Sequence, residues 1–545
     1  MNCTASGALK HRKEKTTTMF RKNNHYTEEW ELYEKGKEYH HSIGLYDNVN
    51  TNERFYRGDQ WEGVQSGGLP TPVFNLFRRI IDFFVSTVLS GAVKMRFSAE
   101  TPAVSGDASA SDITDKLSRI ADFRWDKQKM DTLLANALRD AAVTGDAVCY
   151  TYWDPAVKTG QAFTGDFVSV LVDNTNVFFG NPNSKSIEHQ PYILISMRET
   201  VQDLIAQAMR NGVSESDCKK IVPDDETAFE SGDMAKKELE DTRCISLIKL
   251  WKGENGTVHF RKSVKNCIIR EETDLGLTRY PIAVMNWTPV KNSWHGRAVA
   301  TGLIENQIFV NKGFAMVMKH MMDTAFSKVV YDSTVIDEWS NRVGEAVAVN
   351  GPVENVAKVL SSGQMQAGML DVLNLAISST KEFMGATDTA LGDVTPTNTS
   401  AILALQQSSN LPLEGVKRAL YQFVEDIGLV WLDFLFAYYD DARLVPVGKE
   451  GEISYLPFDL SAQKDKLFSC RVDVGASSYW SEITTLNTLD NLLKLGQITL
   501  AQYLERLPDN LIPKKRELLE EVRAREALLA ENLKGDIHDN QQHDQ

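Results

Sequence analysis

Cysteine is scarce in this sequence, with six residues in a chain of 545. No two of them form a Cys-x-x-Cys pair, and they are widely spread: Cys3, Cys149, Cys218, Cys244, Cys267 and Cys470. This spacing excludes a disulfide-stapled scaffold. We expect these residues to be reduced and to serve mainly in packing.

The chain also lacks a long uninterrupted apolar run. The most apolar segments are Ile80–Val93 and Leu420–Tyr439. Charged residues interrupt both of them: Asp82, Glu425, Asp426 and Asp433. Because a membrane span needs about 20 residues nearly without charge, we expect neither segment to cross a membrane. The basic stretch Lys10–Lys15 is not followed by an apolar segment, so no secretory signal is expected and the chain is predicted to be soluble and intracellular.

Positive charge is in deficit. The sequence has 59 Lys and Arg against 74 Asp and Glu, a net charge of −15. Proteins that hold nucleic acid tightly do so with Lys and Arg that displace counterions from phosphate. The composition therefore disfavours a surface that grips DNA throughout, although it is compatible with a protein that touches DNA without holding it.

Motifs for catalysis and for metal or nucleotide binding are missing. A phosphate-binding loop needs GxxxxGK[ST], but Gly58 and Gly63 are followed by Val64 and Gln65. There is also no GxSxG elbow, HExxH zinc motif or dinucleotide fingerprint after a strand. The pair His40-His41 and the acidic run 224–226 are predicted to be solvated surface. We therefore assign no catalytic residue, cofactor or metal site, and expect the protein not to be an enzyme.

Hydrophobic residues make up 42% of the chain, which excludes general disorder. The length of 545 residues suggests about three to four structural units. Helical and strand-like segments occur in blocks, which favours an α+β fold. An exposed polar helix is predicted from Thr27 to Tyr39, an apolar helix from Phe74 to about Gly91, and a further helical stretch over Ser111–Val143. Short β-rich segments follow between Ala147 and Arg270.

The second half of the chain also alternates between predicted helices and β-rich segments. From Gly296 the chain is predicted to be helical, with an apolar stripe over Leu303–Ala325 about 33 Å long. A compact β-rich section (Val329–Leu360) and a helix (Met369–Ala390) come next. The later segments are a small polar stretch Leu391–Thr399, a long helix Ser400–Asp440 broken near Pro412, strand-like pieces at 444–447, 453–456 and 468–474, and final helices at 483–495, 500–504 and 514–533.

Four methionines cluster on the first long helix of this half. Met316, Met318, Met321 and Met322 fall on two sides of it. They are compatible with ordinary packing, and also with a subunit interface that must shift, since methionine adapts to changing shapes. Both readings remain open from the residues alone.

Several motifs, in this order, resemble the portal (head–tail connector) proteins of tailed bacteriophages. Phe55–Trp61 is similar to the family's aromatic-Gly-x-Gln-Trp segment, and Asn75 follows it. The remaining similar motifs are Gly145–Tyr150, a strand entry; Asn176–Phe179 and Gln190–Ile193, paired wing strands; and Gly296-Arg297 leading to Gln307 and Asn311, the opening of a stem helix. The resemblance covers roughly residues 50–500.

The resemblance implies a ring-forming subunit, mainly helical with a β-rich wing and clip. The implied regions are 1–25, a basic flexible tail; 26–295 and 400–480, the wing; 296–326 and 366–390, the two stem helices; 327–365, the clip; 391–399, the tunnel loop; 481–533, the crown; and 534–545, a flexible tail. It further implies DNA-channel residues Thr395, Pro396, Thr397, Asn398 and Lys381; interface residues Phe314, Met318, Met321 and Met322; and partner-binding clip residues Asp337, Glu338 and Trp339.

The resemblance also implies partners and a location. Portals form closed rings, usually dodecamers, that pass double-stranded DNA during packaging and ejection. Their partners are the large terminase, head–tail adaptors, the major capsid protein and scaffolding protein. The expected location is the portal vertex of the virion, after assembly in the host cytoplasm. The alternatives are another virion structural or scaffold protein without DNA passage, and a packaging-associated enzyme.

Overall fold

The fold is taken from a computed structural model of the full chain. The residues that the structure describes are 26–91, 93–100, 108–160, 164–224, 242–325, 328–336, 349–350, 352, 356–360, 368–386, 411–439, 443–447, 454–457, 467–473, 479–507, 515 and 518–525. They divide into two compact units. Unit 1 is taken from Met1–Asn50 and Asp173–Tyr280, and unit 2 from Thr51–Val172 and Pro281–Gln545. The predicted wing, 26–295, therefore contains parts of both units.

The helices and strands of the described residues are numbered in chain order. The helices are α1 Glu28–Ser42, α2 Leu45–Arg57, α3 Leu76–Val88, α4 Ala108–Lys127, α5 Met130–Thr144, α6 Val201–Arg210, α7 Glu215–Cys218, α8 Ile304–Ala325, α9 Gly368–Phe383, α10 Glu414–Tyr438, α11 Tyr479–Lys494 and α12 Leu500–Arg506. The strands are β1 Lys94–Ala99, β2 Asp146–Lys158, β3 Thr164–Val172, β4 Val177–Phe179, β5 Ile193–Thr200, β6 Arg243–Lys252, β7 Val258–Val264, β8 Cys267–Asp274, β9 Ile282–Asn286, β10 Thr288–Pro289, β11 Gly296–Arg297, β12 Lys328–Tyr331, β13 Ala357–Leu360, β14 Leu444–Val447, β15 Ser454–Pro457 and β16 Phe468–Asp473. These elements confirm the predicted α+β class.

Unit 1 is built on an antiparallel sheet of five strands in the order β4-β5-β6-β7-β8. Helix α1 lies on one apolar cluster of this sheet, with Trp30 and Tyr33 packed against Phe178, Leu194 and Ile245. A second cluster joins α6 and α7 to the strands through buried residues that include Leu204, Cys218, Cys244 and Ile269. The hydrophobic effect thus fixes each helix against the sheet through a few large side chains.

Two predictions about α1 are wrong. The helix was expected to be exposed, but Trp30 and Tyr33 are only 1% and 2% exposed. His40 was expected on a solvated face, but it is buried, stacks on Phe178 at 4.6 Å and hydrogen bonds Tyr46 at 3.3 Å. The helix is polar on average, yet its aromatic residues share the face that meets the sheet, and an average over the segment hides that face.

Unit 2 centres on a three-stranded antiparallel sheet in the order β3-β2-β9. Helix α10 packs against this region, and the Trp431 indole donates a hydrogen bond to Ser169 Oγ at 2.8 Å. Strand β1 pairs antiparallel with β16, so residues 94–99 meet residues 468–473 from the far end of the chain. The helical core of the unit includes Phe77, Ile80, Leu134 and Leu138, all fully buried. Helices α11 and α12 share a small cluster around Leu489, Leu504 and Leu507, and Leu519 and Val522 of the helical residues 518–525 pack against it.

Two predicted helices have different boundaries in the structure. The stretch expected over Ser111–Val143 is two helices, because Lys129 takes a left-handed backbone conformation (φ 53°) between α4 and α5. The helix expected from Gly296 begins at Ile304, because Gly296-Arg297 pairs with Thr288-Pro289 as a short ribbon. The upstream part of the long helix predicted from Ser400, through Asn410, lies outside the described residues, and a 3₁₀ turn at Leu411–Leu413 precedes α10.

A buried ionic cluster ties α4, β3 and the end of α10 together. Asp166, 2% exposed, accepts a hydrogen bond from Arg124, which is 5% exposed. The Tyr439 hydroxyl donates to Asp166 at 2.9 Å, and Arg443 donates to the Gly165 carbonyl at 3.0 Å while stacking on the Tyr439 ring. Burying these charges is tolerated because each has a partner of opposite charge or a hydrogen-bond acceptor.

Replacing Asp166 tests this cluster. Asp166→Ala is expected to lower the free energy of unfolding by about 3–5 kcal/mol, because Arg124 would stay buried without its carboxylate. Urea denaturation followed by tryptophan fluorescence measures the loss. The control Glu215→Ala breaks an exposed pair with Lys219 and should change stability by less than about 0.5 kcal/mol. Equal denaturation midpoints for the Asp166 variant and the wild type would contradict the assignment.

Candidate functional site

Helices α8 and α9 form the candidate functional site. Helix α8 has 22 residues and α9 has 16, so they are about 33 Å and about 24 Å long. They touch at Gly313, where an added Cβ would lie 2.1 Å from Leu373 Cδ2. The backbones can approach this closely only because position 313 has no side chain.

A small ribbon lies between these helices in the sequence. Strand β12 pairs antiparallel with β13, with Lys328 opposite Leu360 and Tyr331 opposite Ala357. The chain therefore leaves α8, makes a two-stranded excursion and returns to pack α9 on α8. This is the helix–β–helix order predicted for 296–390. The middle of the predicted β-rich section Val329–Leu360, from 337 to 348, lies outside the described residues.

The first turns of α8 are held by a buried network of side-chain amides. Asn311 donates to Gln60 Oε1 at 2.6 Å, and Gln307 donates to Asn311 Oδ1 at 2.9 Å. All three side chains are 5% exposed or less. Gln307 also accepts from the Phe77 backbone N–H at 3.0 Å and donates to the Phe74 carbonyl at 2.9 Å. Gln307 therefore joins α8 directly to the start of α3.

The same network extends into the loop before α3. Asn75 caps α3 by accepting from the Arg78 N–H at 2.9 Å and donates to the Tyr56 carbonyl at 3.2 Å. Gln60 donates to the Phe55 carbonyl at 2.9 Å, and Trp61 donates to the Pro72 carbonyl at 2.9 Å. Carboxamides suit these positions because each offers a donor and an acceptor. The motif residues of 55–61, Asn75, Gln307 and Asn311 thus form one structure.

A second buried anchor precedes α8. Asp146, 1% exposed, lies 2.8 Å from His295 Nδ1 and accepts from Asn286 Nδ2 at 2.7 Å and from the Gly296 N–H at 2.5 Å. At Gly145 (φ 106°) a Cβ would lie 2.9 Å from the Gly296 carbonyl oxygen. The carboxylate therefore joins β2 to the segment leading into α8. Sequence reasoning missed His295, because a single histidine before a helix carries no motif.

The predicted interface residues fall into two groups. Met318, Met321 and Met322 are 38%, 62% and 49% exposed. Phe314 is half-buried, and its ring lies 4.3 Å from that of Phe74 in the same chain. Helix α9 adds exposed apolar side chains at Leu370, Val372, Leu375 and Phe383, which are 41–90% exposed. An apolar surface of this kind on packed helices is typical of a protein–protein interface.

Of the predicted DNA-channel and clip residues, the structure describes Lys381. Lys381 lies in the last turn of α9 and is half-buried. Thr395, Pro396, Thr397 and Asn398 of the predicted tunnel loop lie outside the described residues, as do Asp337, Glu338 and Trp339 of the predicted clip.

The five cysteines in the described part of the chain are buried and form no disulfide there. Burial raises the pKa of the Cys149 and Cys470 thiols to about 12, so the reactive thiolate is scarce at neutral pH. The expectation that these are reduced packing residues is confirmed for these five; Cys3 is outside the described residues.

Within the residues that the structure describes, no group of three or more His, Cys, Asp or Glu side chains is arranged to bind a metal ion. No helix among these residues has the length and apolar character that crossing a bilayer requires.

Comparison with known proteins identifies the family. The model of the phage P22-like portal protein family matches residues 201–477, just over half of the chain and the part that includes α8, α9 and α10. The chain belongs to the phage P22-like portal protein family. This is a structural family of the virion capsid vertex, not an enzymatic one, and it implies an oligomeric ring with partners in the phage head. No curated protein matches the chain.

The amide network can be tested at Asn311. Asn311→Leu would leave the buried Gln60 Oε1 without its Asn311 donor, at about 1–3 kcal/mol, and would remove one of the two acceptors of Gln307 Nε2. We expect a lower urea midpoint and faster hydrogen exchange in the first turns of α8. The neighbouring exposed residue supplies the control, since Lys312→Leu should leave both measurements near wild type. If the two variants were equally stable, the network would not be what holds α8.

Proposed function

We propose that this protein is the portal subunit of a tailed phage. In this role copies of the chain form a closed ring, through which double-stranded DNA is packaged into the procapsid and later ejected. The ring also serves as the docking platform for the large terminase and then for head–tail adaptors. The observation that carries the proposal is a pair of packed helices with exposed apolar side chains and an intervening β-ribbon, in a chain of the portal family.

The helix pair supports the ring. A cyclic ring requires a heterologous interface, in which one face of each subunit meets a different face of the next. Met318, Met321 and Met322 offer such a face because they are apolar and exposed on a helix that is fixed at its first turns. We assign α8 and α9 as the stem and propose a ring of twelve copies.

The negative net charge of the chain suits a channel through which DNA slides. DNA must slide through a portal, and each Lys or Arg held on phosphate would raise the barrier to that movement. A net charge of −15 and a tunnel loop with the neutral residues Thr395, Thr397 and Asn398 favour weak contact. Lys381, near the end of α9, would supply one weak cationic ring.

Each proposed partner is assigned to one region of the chain. We propose that the segment 327–365, which contains β12 and β13, is the clip that meets the terminase and adaptors, through residues that include Asp337, Glu338 and Trp339. The outer surface would contact the major capsid protein and scaffolding protein. The subunit would assemble in the host cytoplasm and end at the portal vertex of the virion.

Charge placed on the methionine face should prevent ring assembly. In the double variant Met318→Glu, Met322→Glu, each subunit would bury carboxylates without partners in the interface, so we expect the fraction of protein in rings to fall at least about tenfold. Mass photometry of the purified protein measures that fraction. Met209→Glu, at a similarly exposed methionine in unit 1, is the control and should assemble normally. Wild-type ring content in the double variant would refute the interface assignment.

Shortening the tunnel loop should affect DNA rather than assembly. Deletion of 395–398 is expected to leave folding and ring formation intact but to lower the DNA content of particles, since the ring would lose its contact with the duplex. Complementing a portal-deficient phage and counting filled heads by electron microscopy measures this. A deletion of equal length at 540–543 is the control. Normal DNA-filled particles from the 395–398 deletion would remove the loop assignment.

A further inference from the structure

An open groove runs between α8 and α9. It has a volume of about 530 Å³ and is lined by Phe309, Met316, His320, Gly368, Val372 and Leu373. Except for His320, these lining residues are apolar. The groove lies wholly within unit 2.

Two glycines shape this groove. Gly313 lets Leu373 of α9 pack directly on the α8 backbone, which brings the helices together. At Gly368 an added Cβ would meet no atom within 4 Å, so this position opens onto free space. The groove is therefore closed where Leu373 packs on Gly313 and open at Gly368, so it can accept a side chain from another molecule. We call this groove the socket.

Helix α8 carries a second apolar face on the side away from the groove. Successive helical residues are about 100° apart around the axis. Met316 and His320 therefore lie within about 20° of Phe309, whereas Met318 and Met322 lie about 180° and about 220° from it. Both methionines are exposed. One helix thus presents a groove on one side and protruding methionines on the other.

These two faces match the geometry of a ring. Cyclic symmetry repeats one heterologous contact and keeps every residue at a constant height along the axis. Met318 lies between Met316 and His320 along α8, so in a ring of channel-lining helices it meets the next copy at the level of the groove. Methionine is flexible enough to fill an irregular apolar space.

We propose that the exposed side chains of Met318 and Met322 of each subunit pack into the α8–α9 groove of the next copy of this chain. The proposal rests on the ring of the proposed function and deepens it by naming both sides of the contact. The occupant is a second copy because the chain itself supplies an uncharged protruding face at the matching height, and because the family implies an oligomeric ring.

Cysteine pairs test this contact. Met318→Cys is combined in turn with cysteine at three α9 positions that line the groove, Gly368→Cys, Met369→Cys and Val372→Cys. The full-length rings are then oxidised with copper phenanthroline. A disulfide requires Cα atoms within about 7 Å. We expect at least one pair to give a ladder of linked subunits on a non-reducing gel. The control pairs Met318→Cys with Leu375→Cys, because Leu375 is exposed on α9 but does not line the groove.

The outcomes separate the two proposals. A ladder from a groove pair but not from the control supports the socket. Rings without a ladder from any groove pair would overturn the socket and leave the portal function standing, whereas failure of the wild-type protein to form rings would overturn both.

Filling the groove gives an independent test. Gly368→Trp places an indole where the structure leaves space, so the variant should fold with the wild-type circular dichroism spectrum while the ring fraction in mass photometry falls at least about tenfold. Wild-type assembly of Gly368→Trp would contradict the socket.

Discussion

The arrangement of this protein depends on the buried amides of Gln60, Gln307 and Asn311 at the start of α8. These side chains satisfy one another and the backbone of α3, so breaking one contact removes a hydrogen bond from a group that water cannot reach. Such a network sets the position of a helix more strictly than apolar packing, because hydrogen bonds are directional. The later turns of α8, by contrast, project exposed methionines. A helix that is fixed at its start and exposes methionines in its later turns is suited to packing against another subunit.

The second anchor acts on the same element. Asp146 gathers His295, Asn286 and the Gly296 N–H, so the segment that leads into α8 is tied to the central sheet of unit 2. Glycine at 313 then brings α9 onto α8. The residues that attach α8 to the rest of unit 2 are thus different from the residues that form its exposed apolar surface. A subunit that joins a ring without deforming its fold needs both.

The sequence predicted the order of helices and strands well where a strong local period exists. Apolar spacing predicts helices α3, α8 and α10, and the β-rich section predicted for Val329–Leu360 contains the ribbon of β12 and β13. The start of α8 was misplaced because the pairing of Gly296-Arg297 with Thr288-Pro289 has no local signature. The residues of the amide network were found by their resemblance to portal motifs, but not their partners. Gln60 and Asn311 are 251 positions apart, and no local pattern reports such a contact.

The central claim is that α8 and α9 line a channel shared by many copies of the chain. Cryo-electron microscopy of the purified, assembled protein tests it most directly. The account predicts a closed ring in which the α8–α9 pairs surround the central opening and meet their neighbours through the methionine face. Rings with these helices on the outer surface, or particles that contain a single copy, would contradict it.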